Sequence, residues 1–221
     1  MEGMELYFPR YTRAEERFNM ISHIVGGGLG FVALLACVIV AAYNRNFWGV
    51  VGGIIYGFSV ILLFTMSSIY HGLHISLAKK VFRTLDHCTI FILIAGTYTP
   101  ILLSRFREAY PVYAWTIFGV VWGLAVLGVV LNAISVKRFA VFSLICHLSM
   151  GWMVVLSIRP LLYVLGQAFF VMLLLGGLMY TAGVVFYILG RRKKFMHSVF
   201  HLFVVVASVL HSIGIAAFVM P

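Results

Sequence analysis

Hydrophobic positions run along this chain in long blocks rather than in alternation. No Asp, Glu, Lys or Arg occurs within residues 18–44, 46–78, 87–104, 109–136, 139–158, 160–190 or 195–221. Each block reaches the roughly 18 residues that an α-helix needs to cross a hydrocarbon core of about 30 Å. Seven blocks predict an all-α integral membrane protein, a seven-transmembrane helix bundle with short connections. The turn between the fifth and sixth spans is expected around Arg159–Pro160. Strands of an outer-membrane barrel would alternate apolar and polar residues over about ten positions, and the blocks do not. Residues 1–17 read as a short N-terminal arm and 18–221 as a single membrane domain. Met1–Phe18 lacks the apolar core and small-residue cleavage site of a signal peptide.

Composition sharpens this reading. The 221 residues are 63% hydrophobic and only 10% charged, against roughly 25% charged in a soluble domain. The charges also sort by loop. Twelve of the sixteen Lys and Arg lie in the arm and in loops 2–3, 4–5 and 6–7, and four (Arg45, Arg105, Arg107 and Arg159) lie in the others. Short loops rich in Lys and Arg stay in the cytoplasm, so the N-terminus is expected inside, the C-terminus outside, and the protein in the inner (plasma) membrane. The net charge of +10 then reflects topology and attraction to anionic lipid. Division among short loops at one membrane face argues against a nucleic-acid partner. Cys37, Cys88 and Cys146 are odd in number, fall within spans and read as small packing residues. Thr97-Tyr98-Thr99-Pro100 places a proline, and a kink, inside span 3.

Candidate chemistry rests on the polar groups that lipid should exclude. Of six acids (Glu2, Glu5, Glu15, Glu16, Asp86 and Glu108), Asp86 alone sits at the mouth of a span. His197 and His201, four apart, project from one helix face about 6 Å from each other. That spacing lets two imidazoles meet one ion, and it equally serves two imidazoles bonded to neighbouring helices. His71 ends span 2, Asp86 opens span 3, and His197 and His201 open span 7, so alternating spans bring all four to one depth. Three neutral imidazoles leave one tetrahedral position open, the pattern of a catalytic rather than a structural zinc site. Ser67 lies one turn before His71, where its hydroxyl could face a developing oxyanion or bond back to its own helix. His23 begins span 1 and could support the ligands, with Glu16 and Asn19 bracing the arm beneath them. His87 points about 100° away from Asp86, and His211 lies roughly 15 Å beyond His201. Neither is expected at the metal. His74 reads as a loop residue and His147 as a bundle-interior group.

These residues carry a resemblance. Glu16-Arg17-Phe18-Asn19 through His23, Ser67-Ser68-Ile69-Tyr70-His71, Asp86-His87 running on to Gly96-Thr97-Tyr98-Thr99-Pro100, and His197-Ser198-Val199-Phe200-His201 occur in that order. Taken in chain order, with the Glu16–His23 element first, they resemble the hemolysin III family, the bacterial branch of the progestin and adipoQ receptor superfamily, over residues 16–215. The resemblance implies Zn2+ held by His71, His197 and His201 near the cytoplasmic side, with Asp86 contacting a metal-bound water rather than the metal. A more distant similarity to alkaline ceramidases covers Ser67, Asp86 and the same three histidines. It implies hydrolysis of a lipid amide, with membrane lipids as partners and a fatty-acyl substrate or product in the bundle.

Three function classes follow. The first is a zinc-dependent hydrolase of lipid amide or ester bonds acting in membrane lipid homeostasis. The second is a receptor-like regulator with structural zinc. The third is a lytic membrane protein of the hemolysin type, against which stands the absence of an amphipathic segment waiting to insert. A carboxylate beside an open zinc position is needed by the first class and superfluous in the second.

Overall fold

A computed structural model describes residues 11–221. Among these the chain is helical nearly throughout, with no strand. Six helical stretches are long and apolar enough to cross a membrane. The helices are α1 (Arg13–Tyr43), α2 (Phe47–Gly72), α3 (Leu77–Ile101), the single turn α4 (Arg107–Ala109), α5 (Pro111–Ser135), α6 (Ala140–Trp152), α7 (Ile158–Leu189) and α8 (Met196–Gly214).

Local chemistry sets where several of these begin. Thr12 caps α1 in a reciprocal box, its hydroxyl accepting from Glu15 N at 3.2 Å while Glu15 Oε2 accepts from Thr12 N at 2.8 Å. The helix therefore starts within the charged arm and carries Arg13, Glu15, Glu16 and Arg17 on its first turns, so the described part of the arm before it is only Tyr11 and Thr12. Asn46 Oδ1 caps α2 through Gly49 N at 2.7 Å, and Ser76 Oγ caps α3 through Lys79 N at 3.2 Å.

Helix α3 is the central strut. In its most apolar window 78% of residues are buried, against 28% for both α1 and α5. The outer helices turn Ile, Val, Leu and Phe outward, as surfaces solvated by lipid do. Close approach sets the α2–α3 contact: a Cβ on Gly52 would lie 2.6 Å from Pro100 Cα. Just past Pro100 the helix widens into a π-helical turn, Leu102–Phe106, with Ser104 out of helical geometry. Ser104 Oγ donates to Val219 O at 3.1 Å and accepts from Asn46 Nδ2 at 2.7 Å, tying three elements together at the end of the bundle remote from the histidines.

One expectation is corrected. Arg159 and Pro160 do not themselves form a loop. A 3-10 turn (Met153–Ser157) leads into α7, which runs helically through both residues. Pro160 sits in the first turn of α7, where its missing N–H costs no helix bond. The break lies at Gly166, in the left-handed region at φ 77°. Trp152 Nε1 donates to Thr181 Oγ1 at 3.0 Å across 29 residues, a span of about 44 Å along a straight helix. The 50-residue stretch Ala140–Leu189 therefore doubles back between these two residues, an interval that holds the 3-10 turn and the break at Gly166. Glycine adopts this conformation without the Cβ penalty of other residues.

Candidate metal centre

The starts of α1, α3 and α8 and the ends of α2 and α7 meet at one end of the bundle. His71, His197 and His201 converge there. All three are buried, and each offers a ring nitrogen within 4.8 Å of the other two. His197 Nε2 and His201 Nε2 stand 3.1 Å apart, close to the roughly 3.3 Å that two imidazoles on one tetrahedral zinc would adopt at 2.0–2.1 Å from the ion.

The donor set fits a cation, and at His71 the proton position is dictated from outside. His71 Nδ1 lies 2.5 Å from Glu16 Oε2, so Nδ1–H donates to the carboxylate and Nε2 keeps its lone pair. That Nε2 is buried with no hydrogen-bond partner among the described residues, a costly arrangement for a polar atom unless a ligand completes it. A carboxylate on the far nitrogen is the usual way proteins orient a metal-binding imidazole. Glu16 Oε1 in turn accepts from Lys79 Nζ at 2.8 Å, and Lys79 also donates to Tyr70 O at 3.1 Å and Leu73 O at 2.9 Å. The side chain of Lys79 is only 4% exposed. This cation therefore closes the exposed carbonyls at the end of α2 and anchors the carboxylate that orients His71.

The other expected residues fall around this centre in different ways. Asn19 is buried, its Nδ2 3.5 Å from His71 Nδ1. His23 stacks on His201 with ring centroids 3.8 Å apart and meets Phe64 edge-on at 4.9 Å, but its nitrogens lie outside the converging trio. Ser67, buried one turn before His71, and half-buried Asp86 line the cavity that opens beside His197 and His201. Asp86 Oδ2 is 3.8 Å from His87 Nδ1, which donates instead to Arg83 O at 2.8 Å. His211 Nε2 donates to Leu173 O at 3.1 Å, and the ring of His147 packs on Phe91 at 4.0 Å; neither joins the trio.

The cavity itself has a volume of about 200 Å³. It extends from Asp86 along α3 past Ile90, Leu93, Ile94 and Thr97 to Ile101 and Leu102, some 24 Å of helix, with α6, α7 and α8 forming the other walls and His23 of α1 and Leu63 and Ser67 of α2 closing one side. Its lining is mostly apolar, with His147, His211, Tyr180 and Thr181 among the polar side chains contributed by α6, α7 and α8. Tyr98, midway along, is already satisfied, donating to Met150 O at 2.9 Å and accepting from Val154 N at 2.9 Å.

Sequence reasoning missed three participants. Lys79 counts as a loop cation when charges are tallied, yet it is buried. Glu15 Oε1 accepts from Phe195 N at 2.6 Å, joining the first turn of α1 to the start of α8. Tyr11 stacks on His197 with centroids 4.8 Å apart and planes 16° from parallel. Burial holds its phenol above its ordinary pKa. No motif marks these residues, because each acts across contacts between segments distant in the chain.

Comparison with known proteins identifies relatives by sequence. The profile of the family described as Haemolysin-III related matches residues 11–212. The chain is similar to a Bacillus cereus protein named Hemolysin-3, with 36% identity over 208 residues covering 94% of this chain and 93% of the relative. It is also similar to the Hemolysin-3 homolog of Bacillus subtilis strain 168, with 36% identity covering 68% and 70% of the two chains. A more distant similarity, 28% identity covering 81% and 75%, is to the human monocyte to macrophage differentiation factor. No solved structure matches. The family profile spans the whole region that builds the histidine centre and its cavity, and this multi-pass membrane protein belongs to the Haemolysin-III related family.

Proposed function

We propose that the protein is a zinc-dependent hydrolase of lipid amide or ester bonds in the inner (plasma) membrane, serving membrane lipid homeostasis. The observation that carries this reading is the unpartnered, buried Nε2 of His71 beside the His197–His201 pair, at the head of an apolar cavity that also receives Asp86. Zinc held by His71, His197 and His201 would supply Lewis acidity, polarising a carbonyl and lowering the pKa of water toward about 7. The apolar cavity binds the acyl chain and excludes water from its length. Asp86 accepts a proton from the attacking water. Ser67 donates a hydrogen bond to the carbonyl oxygen, and Glu16 holds the His71 ring in its ligating tautomer.

The topology belongs to the same proposal. Counting the two arms of the folded-back stretch Ala140–Leu189 as separate crossings makes seven, which puts the termini on opposite sides. The twelve-to-four division of Lys and Arg supports a cytoplasmic N-terminus and an outer C-terminus.

Asp86→Asn tests the chemistry. An amide can orient water but cannot take its proton. The variant is expected to fold and to hold about one zinc per chain, measured by metal analysis, while losing turnover of N-acyl and O-acyl lipid substrates. Full biological function in a zinc-replete Asp86→Asn variant would instead support a receptor-like regulator with structural metal. Lysis of cells by added protein would support the activity named in the Bacillus relatives.

A further inference from the structure

We infer that Tyr11 is the roof of the histidine centre, a positioning residue that holds the His197 ring in its ligating orientation and slows exchange of the bound ion. The inference rests on the metal reading above and adds a residue that the motifs do not contain.

Three observations carry it. The Tyr11 ring lies face to face with His197 at 4.8 Å and inclined to His71 at 5.7 Å, so it covers two of the three imidazoles at once. Tyr70 flanks His71 at 4.5 Å and Tyr187 flanks His197 at 6.1 Å, leaving Tyr11 as the aromatic contributed by the arm. Its placement is also built. The single carboxylate of Glu15 accepts from Thr12 N through Oε2 at 2.8 Å and from Phe195 N through Oε1 at 2.6 Å. Tyr11 precedes the first of those residues by one position, and His197 follows the second by two. One side chain therefore fixes both partners of the stack. Phe195 itself adopts φ 60°, a left-handed conformation uncommon for a bulky residue, and it delivers its N–H to Glu15.

Such a stack restrains the ring of His197 without contributing a donor atom. Its loss should therefore alter how fast the ion leaves more than whether the site can hold one. The test uses the purified, zinc-loaded full chain in detergent and follows transfer of zinc to excess 4-(2-pyridylazo)resorcinol by absorbance. Tyr11→Ala is expected to load about one zinc but to release it about tenfold faster, within the range seen when support of a ligand is removed. Tyr11→Phe keeps the ring and is expected to stay within about twofold of wild type. Glu15→Ala, which touches none of the three histidines, is expected to speed release in the same direction and carries the test if Tyr11→Ala does not fold. Wild-type release rates in both Tyr11→Ala and Glu15→Ala would overturn the roof while leaving the metal site standing. Fast release from Tyr11→Phe would overturn the stacking basis. A wild-type chain that retains no zinc would remove the metal reading and this inference with it.

Discussion

Replacing Glu16 with glutamine isolates what the buried carboxylate does. In wild type its two oxygens accept from two different donors, His71 Nδ1 at 2.5 Å and Lys79 Nζ at 2.8 Å. Glutamine has one acceptor oxygen and one NH2 group. If its oxygen serves Lys79, its NH2 faces His71 Nδ1, and the imidazole must shift its proton to Nε2, the nitrogen that faces the other two histidines. If its oxygen serves His71, the NH2 confronts the Lys79 ammonium. Removing one member of a fully buried ion pair costs about 3–5 kcal/mol. Here the Glu16 side chain is 21% exposed, and Lys79 retains two backbone carbonyls, so about 2 kcal/mol is the appropriate scale. Zinc affinity should fall by about 10–100-fold, as for the loss of other groups that orient a ligating imidazole. The measurement is a chelator competition on purified protein, paired with a melting curve of the metal-free form to separate the two losses. Glu16→Gln that binds zinc as tightly as wild type would refute the argument that this carboxylate sets the His71 tautomer. A metal-free form as stable as wild type would refute the ion-pair estimate alone.

Other consequences are simpler to check. His71→Ala and His197→Ala should each lose most bound zinc by elemental analysis, whereas His211→Ala and His147→Ala should retain about one per chain; the reverse ranking would relocate the site. In a background lacking Cys37, Cys88 and Cys146, a cysteine at position 194 should resist an impermeant thiol reagent applied outside intact cells and one at 221 should react. Gly52→Ala places a Cβ against Pro100 Cα and should destabilise the bundle by about 1–3 kcal/mol, as overpacking does, seen as a lower melting temperature in detergent.

The sequence alone determined that the chain is a helical membrane protein and where most of its long helices lie. Lipid rejects ionised side chains along every span, so the gaps between charges record the solvent directly. The His197–His201 pair was legible for a related reason: helical periodicity puts positions four apart on one face whatever the rest of the fold does. Even the meeting of His71 with that pair followed from counting alternating spans. Other features had no such local record. Arg159 and Pro160 read as a turn, yet a proline in the first turn of a helix breaks no bond and an exposed arginine near a helix end can reach past the lipid. Helical geometry breaks instead at Gly166, which the sequence offers only as one glycine among 21. Lys79 looked like one more loop cation until α1 brought Glu16 over it and α2 presented its terminal carbonyls. Tyr11 carried no signal until the first turn of α1 was joined to the start of α8 through Glu15. Burial, tautomer and ring stacking depend on which side chains arrive from elsewhere, and one helix's periodicity holds no information about the face of another.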